Sequence, residues 1–334
     1  MDYIPQLPSR VLVQRHALEK MPQIAKLFGK NPVVVADAIT QGIGGKSIAD
    51  ALGCGLVLVD NSTMENVGKI QAQDTDCIIA FGGGKVIDVA KLAAHKKSVP
   101  FVSCPTACSH DGIASRNASI TVNGQSASFE ASSPSAVVAD IDILLKSPYR
   151  LTASGAADIL SNYCAVHDWK LAKENGEEFS HGFANLSLMA ADMVSSSSSK
   201  IKSLEEEGIK NLVWSLIFSG VSMSLHGSSR PASGAEHMFS HALDKMGRFG
   251  LHGEQVGIGT IFFSYLQGQN WEKIKNTLEN LGAPTTIKQV GIPEEVFVDA
   301  LLKAKDIRKR YTILDEKPLN REMTTRIARD LRLL

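Results

Sequence analysis

At 334 residues the chain is too long for one typical hydrophobic core, so two domains are the starting expectation. Its 35 basic and 35 acidic side chains balance, which argues against nucleic acid or an anionic membrane as the main partner. The opening stretch MDYIPQLPSR is acidic and proline-broken, unlike a secretory signal, and the best apolar run, Leu212 to Leu225, is short and serine-rich, a buried helix and not a membrane span. Five scattered cysteines (Cys54, Cys77, Cys104, Cys108, Cys164) without a CxxC pair fit reduced thiols packed as small apolar groups in a cytoplasmic protein.

In chain order, Pro32 to Asp37 reads as a buried strand, followed by a glycine-containing helical segment from Gly42 to Leu52. Leu56–Val59 and Cys77–Phe81 are the next strands, Val86 to Ala94 has helical periodicity, and Val99–Val102 gives a fourth strand. Apolar strands alternating with helices predict a doubly wound, mostly parallel sheet covered on both faces. Ala118 to Ser128 alternates around Asn123-Gly124 and reads as a hairpin, and Ala136 to Ile141 as a last strand. Beyond Pro148 strand-like runs give way to long helical patterns. The predicted organisation is an α/β nucleotide-binding domain over 1–149 and an all-helical metal and substrate domain over 150–334. The serine run Ser195 to Ser199 is expected to be a solvated loop or a frayed helix end.

Three segments carry chemistry. FGGGKVIDVAK, from Phe81 to Lys91, follows a strand and opens a helix, where glycines let backbone amides approach a phosphate and the helix N-terminus favours negative charge. It is neither GxGxxG nor a Walker A loop, so its placement carries the reading. Asp37, ending the first strand, stands where a carboxylate can accept from a ribose hydroxyl or cap a turn. Pro105 to Ser115, PTACSHDGIAS, supplies hydroxyls and amides for a cofactor or substrate; Asp111, repelled by a phosphate, suits substrate hydroxyls better, with an Asx-turn as the alternative. Third, Ser219 to Thr260 places His237 and His241 one turn apart, with His252 in a glycine-flanked loop. Two histidines and a carboxylate leave a position open, as at catalytic zinc. Asp158, a lone acid in the small, apolar helix start SGAADIL just after the domain boundary, is the best carboxylate, against an N-terminal helix charge satisfied by the dipole as the plain alternative. His16, His95, His167 and His181 read as surface or packing residues; His110 and His226 stay open, lying inside informative segments.

Together FGGGKVIDVAK, PTACSHDGIAS, GAADIL, GSSRPASGAEHMFSH and HGEQVGIGT resemble the archaeal sn-glycerol-1-phosphate dehydrogenases, within the iron/zinc alcohol and glycerol dehydrogenase superfamily, over nearly the whole chain. SHDGIAS and SSRPASGAEH are the parts particular to that branch. The resemblance implies Asp158, His237 and His252 as metal ligands, to one zinc or to iron. It implies Gly84, Lys85, Val86, Ile87 and Asp88, Thr106, Ala107, Cys108 and Ser109, and Ser115 as contacts to NADP or NAD. Asp111 and His241 become substrate contacts and catalytic residues, with Asp158 also touching substrate. The implied reaction is reversible reduction of dihydroxyacetone phosphate to sn-glycerol 1-phosphate, for archaeal phospholipid synthesis, by a cytoplasmic homo-oligomer with no nucleic-acid partner and no stable membrane insertion. A glycerol dehydrogenase acting on the unphosphorylated triol is the nearest rival, separated by a phosphate pocket for which Arg116 and Arg230 lie in the right segments. A dehydroquinate-synthase-like lyase is disfavoured by SHDGIAS, and a non-catalytic metal protein by the open coordination position.

Overall fold

The computed structural model describes residues 5–247 and 249–334. They form two compact units, Met1–Pro148 and Tyr149–Leu334.

The first unit is built on a six-stranded, all-parallel sheet in the order β1-β8-β5-β4-β2-β3. Its strands are β1 (Arg10–Gln14), β2 (Pro32–Ala36), β3 (Gly55–Leu58), β4 (Cys77–Gly82), β5 (Phe101–Pro105) and β8 (Ala136–Asp140). The central strands β4, β5 and β8 are buried along their whole length, because helices cover both faces of a parallel sheet. From β2 the chain runs outward to β3 and then returns to the other side of β2 to lay down β4. The strand order therefore reverses between β2 and β4, and a doubly wound sheet opens its ligand crevice at such a reversal. Asp37 leaves β2 and the glycine turn leaves β4 at that place.

Two details depart from the sequence reading. The fourth predicted strand begins two residues later, at Phe101, and β1 was not anticipated. It is a half-exposed edge strand, RVLVQ, so its composition lacks the continuous apolar run of its neighbours. The expected hairpin is present as β6 (Asn117–Val122) and β7 (Gln125–Glu130), antiparallel and separate from the main sheet. Asn123 and Gly124 both take positive φ (52° and 78°), as a tight two-residue hairpin turn demands.

The second unit is helical throughout its described residues. A 21-residue helix, Glu206–His226, contains the apolar run Leu212 to Leu225 and is largely buried. The serine run corrects the expectation of a solvated loop: Ser196 ends one helix and Ser198 starts another, with Ser197 and Ser198 both buried. Small side chains there let the short Ser198–Lys202 helix pack against Glu206–His226, and Ser196 Oγ bonds back to the carbonyl oxygen of Asp192 at 2.8 Å. Among the described residues, no helix is long and apolar enough to cross a membrane.

Candidate metal centre and nucleotide turn

Three helices of the second unit bring the predicted ligands together. Asp158 lies near the end of the Tyr149–Leu160 helix and not at a helix start as expected, because that helix begins ahead of SGAADIL, so the N-terminal helix dipole does not account for its charge. His237 lies in the first turn of Ala235–Met246, and His252, expected in a loop, opens His252–Leu266. One ligand atom from each lies within 4.8 Å of the other two. Both imidazole Nε2 atoms face the same carboxylate oxygen, Asp158 Oδ1, at 3.5 Å for His237 and 3.7 Å for His252. Asp158 is buried, while the His252 side chain is 34% exposed, so one side of the cluster is open to solvent.

The helices meet closely for a local reason. A Cβ on Gly253 would stand 1.9 Å from the Ser154 carbonyl oxygen, so only glycine admits the two helices at this spacing. Next in sequence, Glu254 accepts from Arg150 of the Asp158 helix at 2.6 and 2.7 Å. Its Oε2 also accepts the Leu251 amide at 2.8 Å, capping the His252 helix. The HGE segment thus supplies a candidate ligand, a close approach and an interhelical ion pair in three consecutive residues.

Hydrogen bonds behind the imidazoles set their tautomers. Gln255 Nε2 donates to Phe249 O (2.8 Å) and Asp244 Oδ1 (3.2 Å), which aims its Oε1 at the Ser240 hydroxyl. Ser240 Oγ donates to that oxygen at 2.6 Å and so accepts from His252 Nδ1 at 3.1 Å. On the other side Glu236 Oε1 accepts from His237 Nδ1 at 2.9 Å and from the Gly234 amide at 2.7 Å. With Nδ1 facing the outer partner in both rings, each Nε2 faces the cluster and offers its lone pair there when the ring is neutral, the arrangement outer partners impose on metal-binding histidines. Glu236, Ser240 and Gln255 escaped the sequence reading. A Glu immediately before a His looks like an ordinary first-turn acid, because adjacent helical residues do not normally face each other.

Burial pulls the His237 imidazole down, but the Asp158 and Glu236 carboxylates outweigh it and hold the metal-free ring at about 9. Folding therefore favours its protonated form. That contribution is complete below the ordinary value of 6.5 and is lost as pH rises to about 9. Metal-stripped protein is expected to lose at most about 3 kcal/mol across this window in urea unfolding, and Glu236→Gln to flatten the slope.

His241, one turn beyond His237, is not in the three-ligand group; its ring centroid lies 6.1 Å from that of His252. Burial lowers its pKa well below 6.5, reinforced by His252, Arg308, His237 and Arg310, so it is a neutral imidazole beside the cluster. Of the other two open histidines, His226 packs on Trp169 with ring centroids 4.5 Å apart. His110 belongs to the first unit.

There the glycine turn and the PTACSHDGIAS segment are joined. Gly82 pairs with Pro105 across β4 and β5, and the Thr106 amide donates to Gly82 O at 3.0 Å. His110 Nδ1 accepts the Gly112 amide at 2.9 Å, and its Nε2 lies 2.0 Å from where a Gly84 Cβ would be. Gly84→Ala must displace that ring, and thermal denaturation is expected to show a loss of about 1 kcal/mol, the lower end for overpacking because a side chain can yield. Val86 and Ile87 are fully buried, so backbone alone is available there to a ligand. Asp88 is committed to the fold: it accepts from the Ser119 amide at 3.1 Å and pairs with the buried Lys91 at 3.4 Å. Lys91 also donates to Gly112 O and Asn117 O, both at 2.7 Å. Lys85 is exposed, with Nζ 2.8 Å from Asp60 O and 3.8 Å from Asp37 Oδ2.

Asp37 Oδ1 caps the following turn, accepting from the Ile39 and Thr40 amides and the Thr40 hydroxyl. Thr106, Ala107, Cys108 and Ser115 are buried, Ser109 and Asp111 partly so, and Asp111 starts a short turn, Asp111–Ile113. Burial pushes the Cys108 thiol to about 12, and all five cysteines are free thiols. Arg116 pairs with Glu130, and Arg230 with Glu177 (Nε to Oε2, 2.8 Å), so both are ion-pair partners.

Residues 13–148 match the family model for iron-containing alcohol dehydrogenases. Solved structures agree on that class of fold: a glycerol dehydrogenase from Schizosaccharomyces pombe superposes with TM-score 0.84 at 22% identity, over 99% of this chain and 90% of that one. A probable glycerol dehydrogenase from Sinorhizobium meliloti gives 0.83 at 17% identity, over the full length of both. Closer in sequence is the glycerol-1-phosphate dehydrogenase [NAD(P)+] of Pyrococcus furiosus, 45% identical over 98% of both chains. The Methanosarcina barkeri enzyme of the same name is 44% identical over 97% of this chain and 95% of its own. The chain belongs to the glycerol-1-phosphate dehydrogenase family.

Proposed function

We propose that this protein is an NAD(P)-dependent sn-glycerol-1-phosphate dehydrogenase that reduces dihydroxyacetone phosphate reversibly, using one zinc ion per subunit. The observation that carries the metal reading is the convergence of two Nε2 lone pairs and one carboxylate, with both histidine tautomers fixed from behind. Two histidines and one carboxylate with an open side suit catalytic zinc, and the same donors suit iron. The identity to curated relatives of that name supports the substrate and the cofactor.

In this reading 1–149 binds the nucleotide, with the amides of Gly84 and Lys85 at its phosphates and the Thr106 to Ser109 segment and Ser115 as further contacts. Residues 150–334 hold metal and substrate. Bound zinc would supply Lewis acidity toward the substrate carbonyl, and NAD(P)H the hydride. The chain's own residues orient and protonate: Asp158 fixes both imidazoles, and neutral His241 accepts from or donates to a substrate hydroxyl. Asp111 takes a second hydroxyl. Its low pKa keeps His241 neutral at working pH, so it would pass a proton only in relay, one ring nitrogen releasing a proton as the other takes one up. We assign the product to phospholipid synthesis and the enzyme to the cytoplasm, as a homo-oligomer.

The test is oxidation of NADPH and NADH by metal-stripped and zinc-restored protein, with dihydroxyacetone phosphate and dihydroxyacetone in parallel. Zinc-restored turnover confined to the phosphorylated ketone is expected. A preference for free dihydroxyacetone would move the protein to the glycerol dehydrogenases instead.

A further inference from the structure

The short helix Ala304–Asp306 and the loop from it to Ile313–Glu316 carry four cations within six residues: Lys305, Arg308, Lys309 and Arg310. With Asp306, Tyr311 and Asp315 they line a pocket of about 420 Å³. Its charges are unevenly compensated. Asp315 is taken by Lys305 and by the Thr312 amide at 2.8 Å. Arg310 donates to Ser233 O and, at 2.9 Å, to Ser229 Oγ, both neutral acceptors. Arg230, close by, is neutralised by Glu177 and donates to Tyr311 O at 2.8 Å. Arg308 and Arg310 are both partly exposed, and neither has a carboxylate among its described hydrogen bonds.

This loop is tied to the metal cluster. Ser233, held by Arg310, lies four residues before His237, and Ala304–Asp306 packs against the His237 helix. The nearby acid Glu236 bonds Gly234 and His237 through Oε1, and its charge offsets only part of that of the two arginines, with neither of which it shares a described hydrogen bond. Burial and the charges of Arg308 and Arg230 push the Arg310 guanidinium down to about 9. A guanidinium keeps its proton at neutral pH regardless, so this crowding is work that an incoming anion would return.

We infer that Arg308 and Arg310 form the clamp for the phosphate of the substrate, receiving a phosphomonoester dianion beside His241. This rests on the dehydrogenase reading above and deepens it: planar guanidinium groups bind phosphate oxygens in pairs, and a ketone without the phosphate leaves both cations facing water. The three-carbon substrate is thereby selected at the end remote from its carbonyl.

The experiment measures kcat/KM of zinc-loaded wild type, Arg308→Ala and Arg308→Lys for dihydroxyacetone phosphate and dihydroxyacetone. Arg308→Ala is expected to lower the preference for the phosphorylated ketone on the order of 10- to 100-fold, and Arg308→Lys by less. An unchanged ratio in Arg308→Ala would overturn the clamp. Wild type without such a preference would overturn the dehydrogenase reading instead. Because Arg308→Ala could fail to fold, the wild-type holoenzyme is also treated with phenylglyoxal, with and without inorganic phosphate, and modified arginines are mapped by mass spectrometry. Phosphate is expected to protect Arg308 at least several-fold; equal modification in both samples counts against the clamp whatever the variants do.

Discussion

His252→Ala is expected to remove zinc and activity together, with kcat/KM for dihydroxyacetone phosphate falling at least about 1000-fold. The ring has the most exposed side chain of the three candidate ligands, so truncating it lets water reach the Ser240 and Asp158 oxygens it faced, and the fold should survive. Ser240→Ala provides the graded comparison. It leaves all three ligands in place but removes the acceptor that keeps hydrogen on His252 Nδ1, and a supporting partner of that kind is worth about 10- to 100-fold in metal affinity. Zinc content by mass spectrometry, zinc affinity by chelator competition, and activity are measured on both. Should His252→Ala lose its zinc yet keep its turnover, the Lewis-acid role falls. Equal affinity in Ser240→Ala and wild type would mean that the tautomer is set by something other than the serine.

The parts of the molecule that the sequence announces are those where one residue type has one physical use. β2 and β4 are continuous apolar runs because both faces of a parallel sheet are covered, and Asn123-Gly124 reads as a turn because both residues need positive φ. β1 is silent because an edge strand half open to solvent carries no such run. At the candidate metal cluster, the spacing of His237 and His241 lets both point at one centre, and the structure groups His237 with Asp158 and His252, leaving His241 beside them as the sequence reading had it. A shared helix face brings two side chains near each other without deciding which neighbour each ring turns toward. Glu236 and Ser240 hold the His237 and His252 rings from behind, and the direction of their side chains depends on Gly234 and Gln255, contacts that no local pattern encodes. The arginine loop is hidden for a similar reason. Arg230, in the segment that looks right for a phosphate, is consumed by Glu177, whereas Arg308 and Arg310 stand about 80 residues further along and enter the region only through folding.

Gly253→Ala tests whether helix spacing, and not ligand identity alone, makes the centre. The added Cβ would meet the Ser154 carbonyl oxygen at 1.9 Å, and a backbone oxygen cannot swing aside as a side-chain tip can. The His252 and Asp158 helices must therefore separate, at a cost expected near about 3 kcal/mol, the upper end for overpacking. Separation also strains the Arg150–Glu254 pair, which closes the same interface from its edge. Since His252 and Asp158 are carried on the two displaced helices, and their facing atoms are only 3.7 Å apart, zinc affinity should fall with stability although no ligand has been altered. Arg150→Met separates the two effects. It removes the ion pair without adding volume at Gly253, so its loss of stability should leave zinc affinity close to wild type. Urea unfolding of the metal-free proteins gives the first quantity and chelator competition the second. If Gly253→Ala binds zinc as tightly as wild type while being destabilised, the interhelical distance does not control the centre, and the glycine is there for packing alone.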